Sequence, residues 1–347
     1  MEMFVSGESH GPKLIGTIVG FPANFPIDEN VIVHELQRRR SGYGRGARMT
    51  IENEAFSIVS GIYAGLTTGA PLSIEIPNRD YVNWADSILT PVTIPRPGHA
   101  DIAGLLKYRY PHFRPVMERA SARITAGYVA VSALCKHLLE TLGVTFSSRP
   151  AQVDGILNTA VTGYDETIKT HIDKATQEGR SLGGVVTIQI AGVPIGLGSF
   201  IDWESRIDGK LSAMLMSIPS VKGIVFGSAD DPERYTQDEL FVQDEQIYRK
   251  TNFAGGIEGG MTNGEAIEMR LFVKPIPSSS TTQHSVDMAT MHEVPSRHER
   301  SDICVVDTIG VIAENLAAFV VLKACMERFG ADDFRMLMQR IRAGENV

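Results

Sequence analysis

Apolar residues along this chain recur with two periods, and the periods divide it into strand-like and helix-like stretches. "KLIGTIVGF" at 13–21 and "AFSIVSGIY" at 55–63 are rich in β-branched residues, and "PLSIEIP" at 71–77 alternates apolar with polar, so all three predict strands. Between the first two, "IDENVIVHELQRRR" predicts a helix: Asp28 suits an N-cap, and Val31, Val33 or His34, and Leu36 supply an imperfect apolar stripe. The longest helical pattern runs from about Pro115 to Leu142 with Gly143 as its stop. Its small residues Ala120, Ser121, Ala122, Ala126 and Gly127 leave room for another backbone or a flat ligand. "GVVTIQIAG" at 184–192 and "EAIEMRLFV" at 265–273 predict further strands, and "ESRIDGKLSAMLMSI" at 204–218 a helix despite Gly209. A final amphipathic helix is expected over about Ile309 to Phe329, closed by Gly330. Strands and helices mix without strict alternation, which favours an α+β sandwich over a doubly wound sheet. No fixed-period repeat is present. One domain is therefore expected over residues 1–347, with long loops at about 36–50, 92–114, 251–264 and 275–303.

Composition narrows the function classes. A net charge of -8 argues against broad nucleic-acid binding, so any anion site has to be local. Such a local excess exists in "RRRSGYGRGAR", where Arg38, Arg39, Arg40, Arg45 and Arg48 fall within eleven residues. The three cysteines, Cys135, Cys304 and Cys325, show no paired spacing, which suits a reducing, cytoplasmic setting and gives no zinc pattern. The most apolar stretch, "IGVIAENLAAFVVLKAC", is interrupted by Glu314, Asn315 and Lys323, and no membrane span is expected.

Four constellations carry chemistry. "GESHG" at 7–11 fits the G-x-S-x-G elbow of serine hydrolases, but an elbow joins a strand to a helix, and here a strand pattern follows Pro12. His10, able to titrate near neutral pH, then becomes the more interesting residue, and His99 in the rigid "PRPGHAD" is a second, flanked by Arg96 and Asp101. The arginine-glycine loop invites a phosphate reading, because guanidinium forks match phosphate and carboxylate oxygens; the bland alternative is a solvated basic loop. Arg119 and Arg123, four apart on the predicted helix, add to the anion case. "TNFAGGIEGGMTNG" at 251–264 could cradle a phosphate through backbone N–H groups, although it lacks the ending of a Walker A loop and the helix of a dinucleotide fingerprint.

Taken in order, "GESHGP", "RRRSGYGRGARMTIE", "PRPGHAD", "ERASARITA", "MSIPSVKGI", "AGGIEGGMTNG", "KPIP" and "RSDICVV" resemble the chorismate synthase family over nearly the whole chain. The resemblance implies a sandwich of mainly antiparallel sheets around central helices, assembled as a homotetramer. It implies a lyase that converts 5-enolpyruvylshikimate 3-phosphate to chorismate and phosphate by 1,4-elimination, with reduced FMN and no net redox change. By motif match, His10 protonates the departing phosphate, His99 sits by the flavin N1 region, and Asp302 lies near flavin N5 and helps in hydrogen removal. Arg39, Arg45, Arg48, Arg96, Arg123 and Arg300 bind the anionic substrate, with Ser9 as their neighbour. FMN is matched to Arg119, Ala120, Ser121, Asn252, Ala254, Gly259, Lys274, Pro275, Ile276, Pro277, Ser278 and Arg300. With no dinucleotide fingerprint in the chain, an external flavin reductase is the expected partner.

Three departures from the family pattern stand out. Ala120 and Ile124 replace a serine and a glutamate of the usual helix block, Ser301 and Ile303 vary the block around Asp302, and the segment from Trp84 to Arg96 is short. They keep open a non-catalytic flavin- or anion-binding homologue as the alternative reading, beside a serine hydrolase using Ser9.

Overall fold

The computed structural model describes residues 1–46, 55–85, 89–231, 237–277, 283–297 and 302–344. Two antiparallel sheets enclose a layer of helices. The first sheet contains β1 (Glu2–Ser6), β2 (Lys13–Val19), β3 (Ser57–Ser60) and β4 (Leu72–Pro77) in the order β1-β2-β4-β3. The second contains β5 (Thr145–Val153), β6 (Ile156–Leu157), β7 (Gly184–Ala191), β8 (Val221–Phe226) and β9 (Ile267–Val273) in the order β8-β9-β7-β5-β6. Strand alternation turns Leu14 and Ile18 of β2, and Leu72, Ile74 and Ile76 of β4, onto the helices. Val186, Ile188, Met269 and Leu271 do the same from the opposite sheet.

Between the sheets lie α1 (Glu29–Arg40), α4 (Thr125–Thr141) and α7 (Val306–Phe329). Asp28 caps α1 by accepting the Asn30 N–H. The small residues of α4 admit a backbone: a Cβ on Gly16 of β2 would lie 2.5 Å from the Gly127 carbonyl oxygen. Helix α7 departs from the amphipathic pattern expected for it, being buried on every side as far as Cys325. It is long and apolar enough to cross a membrane, with a mean hydropathy of 1.8, yet 89% of that window is buried inside the fold.

A closed charge cluster fixes the three helices to one another. The fully buried Glu314 of α7 accepts from both terminal nitrogens of Arg38, from Lys136 Nζ at 2.7 Å and from Ser148 Oγ at 2.6 Å. Glu35 of α1 accepts from Arg38, Lys136 and Asn315. Two carboxylates thus face two cations, which is the condition for burying charge at tolerable cost.

The helix expected from Pro115 to Leu142 is broken. α3 (Arg114–Arg119) ends at Ala120, Ser121 turns extended and caps a 3₁₀ turn, Ala122–Ile124, by accepting the Arg123 N–H, and α4 follows. A serine that bonds its own backbone competes with the helix ladder, and here it wins. Further elements also exist: α2 (Asp101–Tyr108), β5, β8, α5 (Glu166–Glu178), α6 (Ile207–Met216) and α8 (Phe334–Gly344). Of these only α6 is predicted from the sequence.

Candidate active site

The "GESHGP" stretch is a turn between β1 and β2, strand to strand, so the hydrolase elbow is absent. Gly7 has φ +100°, and a Cβ there would lie 2.3 Å from the Lys13 carbonyl oxygen, which reserves the position for glycine. Ser9 is buried and its Oγ donates to Ser121 Oγ at 2.9 Å. The turn rests on α3: the Ser9 N–H donates to the Glu118 carbonyl, and Arg119 donates to the carbonyls of Val5 and Gly7. His10 is clamped by Glu118, whose Oε2 accepts the His10 backbone N–H at 2.7 Å and whose two oxygens lie 2.9 and 3.0 Å from Nδ1. Trp84 covers the imidazole, ring centroids 3.9 Å apart, and Arg114 stands 3.5 Å from Glu118. Burial alone would raise the Glu118 carboxyl, but the hydrogen bonds from His10 and the nearby Arg114 outweigh it and hold it below the usual range.

The broken helix brings arginines to the same place. Arg39, buried in the last turn of α1, donates from Nε to Thr125 Oγ1 at 2.9 Å and from its terminal nitrogen to the Ala122 carbonyl at 3.3 Å. Arg123 is buried beside it on the 3₁₀ turn. After α1 the chain turns through Gly42 and Gly44, and Arg45 reaches Asp302 at 3.0 Å, while the Gly46 N–H donates to the other oxygen of Asp302 at 2.6 Å. The Gly44 carbonyl accepts the Ile303 N–H, so this loop is stitched to the segment entering α7. Asp307, just inside α7, is half-buried with its N–H on Tyr164 Oη; desolvation pushes its carboxyl up to about 6 against the pull of the Thr308 N–H and Arg45.

His99 lies in a loop braced from two sides. Arg96 spends its guanidinium on the fully buried Asp101 through two hydrogen bonds, at 2.9 and 2.8 Å, so its fork is committed within the protein. From the end of β9, Lys274 Nζ donates to the Gly98 carbonyl, and a Cβ on Gly98 would lie 3.2 Å from Pro277. Burial, then the charges of Arg96 and Lys274, drive the His99 pKa down to about 4 despite Asp101, which leaves a neutral imidazole at pH 7. The Ile276 carbonyl accepts from Ser181, and the next residue, Leu182, donates its N–H to the Ile303 carbonyl. The 274–277 segment therefore bridges the His99 loop to the Arg45–Asp302 pair; Pro275 lies within it.

The glycine loop at 251–264 is tied elsewhere. Asn252 accepts the Gly256 N–H and donates to the Ala266 carbonyl, the Ala254 N–H goes to Asp238, and Gly259 sits open in the tight turn between Glu258 and Met261. Ala120 ends α3 with its N–H on the Val116 carbonyl. Arg48, Ser278 and Arg300 lie outside the described residues. Sequence reasoning missed Glu118, Trp84, Arg114 and Asp307, although "ERASARITA" begins with Glu118; a carboxylate facing a histidine across 108 residues leaves no local pattern. Arg39, Arg45, Arg123 and Lys274 are cationic donors of the kind a phosphate-bearing ring needs.

Comparison with known proteins points one way. The model of the chorismate synthase family matches residues 1–326. A chorismate synthase of Caldanaerobacter subterraneus subsp. tengcongensis is 44% identical over 342 residues, spanning 97% of this chain and 96% of that protein. One from Thermoanaerobacter pseudethanolicus is 41% identical over 348 residues, spanning 99% and 98%. A crystal structure of a chorismate synthase superposes with a TM-score of 0.79 at 30% identity, covering 99% of this chain and 97% of that one.

Proposed function

Because the chain belongs to the chorismate synthase family, we propose that it takes 5-enolpyruvylshikimate 3-phosphate and eliminates phosphate across four atoms to give chorismate, a lyase reaction with no net redox change. One observation carries the reading. Ser9 Oγ bonds Ser121 next to the 3₁₀ turn that the buried Arg39 grips and that carries Arg123, and the loop after α1 sets Arg45 on Asp302, which supports a shared anion site beside the His10 turn.

Arg39, Arg45 and Arg123 hold the phosphate and carboxylates of the substrate, with Arg48 and Arg300 as further ligands, because each buried anionic group needs a charged donor. Arg96, held by Asp101 through Nε and one terminal nitrogen, is a further anion ligand. As the carbon–oxygen bond breaks, His10 gives a proton to the leaving phosphate oxygen. Asp302, whose carboxylate is fixed by Arg45 and the Gly46 N–H, is assigned to help in removal of the ring hydrogen. His99, neutral at pH 7, is suited to accept or share a proton rather than to add a positive charge.

The family implies a flavin, and we assign it as FMN held by Arg119 to Ser121, Asn252, Ala254, Gly259 and the 274–278 segment, together with Arg300. When bound in its reduced form, it supplies electron density to the reacting ring and recovers it. An external flavin reductase, a homotetramer and a cytoplasmic location complete the proposal. Three free, buried cysteines support the reducing compartment. The buried apolar cluster from Leu14 to Ile341 supports a single domain.

The proposal is tested by anaerobic titration of the purified protein with reduced FMN. Tight binding that depends on the presence of 5-enolpyruvylshikimate 3-phosphate is expected; binding unaffected by the substrate refutes the shared site.

A further inference from the structure

We infer that Glu118 is the positioning residue of the reaction, fixing the His10 ring with its proton on Nδ1 so that Nε2 is the nitrogen that exchanges a proton with the substrate; this rests on the reading of His10 given above. The tautomer follows from valence. A carboxylate only accepts hydrogen bonds, so an imidazole nitrogen 2.9 and 3.0 Å from its two oxygens has to be the donor. Nδ1 therefore keeps its proton whether the ring is neutral or cationic, and only Nε2 gains and loses one.

The same carboxylate cannot drift from the ring. Its Oε2 also takes the His10 backbone N–H at 2.7 Å, its own carbonyl takes the Ser9 N–H, and Arg114 stands 3.5 Å from Oε1. Arg119, the next residue, ties the start of the turn through the Val5 and Gly7 carbonyls. Rotation of the imidazole is blocked by Trp84, whose ring lies against it at 3.9 Å and 39°. The side chain of Glu118 is 4% exposed and that of His10 19% exposed, so the clamp is buried and the ring retains some access. A residue acting this way touches no reacting atom, and its contribution is to hold orientation and protonation state for the residue that does.

Histidine-selective nitrogen-15 labelling of the intact protein tests this directly, with the His10 resonance assigned by its loss in His10→Ala. A protonated Nδ1 throughout a pH titration, with only Nε2 changing state, is expected; a neutral ring with a bare Nδ1 overturns the inference. The kinetic arm uses Glu118→Gln and Glu118→Asp. Glu118→Gln is expected to lower kcat by about 10²-fold or more, with the substrate KM within about threefold, and Glu118→Asp to restore part of the loss. An unchanged kcat in Glu118→Gln, or a loss confined to KM, overturns it. Absence of turnover in the unmodified protein refutes the functional reading instead, and is seen before any variant is made. The nitrogen shifts judge the tautomer independently of turnover and need no variant at Glu118.

Discussion

Lys136→Met removes one cation from the buried cluster while keeping most of the apolar stem. Lys136 is 5% exposed and donates to Glu35 at 3.1 Å and to Glu314 at 2.7 Å. Without it, two buried carboxylates share the single guanidinium of Arg38. Removing one partner of a buried ionic set costs about 3–5 kcal/mol, because the remaining charge is left without compensation. With an unfolding entropy of roughly 2 cal/mol/K per residue over a chain of this length, that corresponds to a fall in Tm of about 4–7 °C. The pH dependence gives the sign. Burial opposes ionisation of Glu314, but Arg38 and Lys136 pull its carboxyl from 4.5 to about 2, so its contribution is complete above 4.5 and is lost as pH falls toward 2. In Lys136→Met part of that pull is gone, one carboxylate takes up a proton at higher pH, and the variant's deficit narrows on acidification. Thermal unfolding of both proteins at equal concentration, at pH 7 and about pH 4, reads the effect. A Tm at pH 7 within about 1 °C of the parent, or a deficit that widens at pH 4, refutes the reasoning.

Gly42→Ala places a Cβ 2.2 Å from Asp307 Oδ2 at a residue with φ +133°. Strain of about 1–3 kcal/mol should displace the loop that carries Arg45, and a variant with full stability and turnover contradicts this. His99→Asn should flatten the acid limb of the stability profile. Between 6.5 and about 4 the unfolded chain takes up the His99 proton and the folded chain does not, so stability drops as pH drops there, and an unchanged slope in the variant counts against a neutral, half-buried His99. His10→Ala should lower kcat by roughly 10²–10⁴-fold, whereas Ser9→Ala, which loses one hydrogen bond to Ser121, should cost far less; the reverse order restores the serine-nucleophile reading.

Strands β2, β3, β4, β7 and β9 and the cap on α1 were legible because β-branched runs, alternation and Asp28 act locally. What the sequence hid has physical causes. β5 reads poorly because "TFSSRPAQV" is polar and carries Pro150, and its register shifts between Pro150 and Gln152, the kind of irregularity where a strand tolerates proline. α5 was legible but missed: Asp165 caps it, Gly179 closes it, and Ile168, Ile172 and Ala175 form its buried stripe. The break at Ser121 depends on a serine choosing its own backbone over the ladder, and propensity does not forecast that choice. The arginines, His10 and His99 stood out by type and spacing. Glu118, Asp307 and the commitment of Arg96 to Asp101 emerged only when the chain was folded, because charge compensation is a property of neighbours in space.

The most direct test of the whole account is turnover under anaerobic conditions with reduced FMN in catalytic amount and 5-enolpyruvylshikimate 3-phosphate in excess. The account predicts chorismate and phosphate in equal quantity, many equivalents for each flavin, with the flavin still reduced at the end. No chorismate at saturating flavin and substrate, or flavin oxidised in step with product, contradicts it.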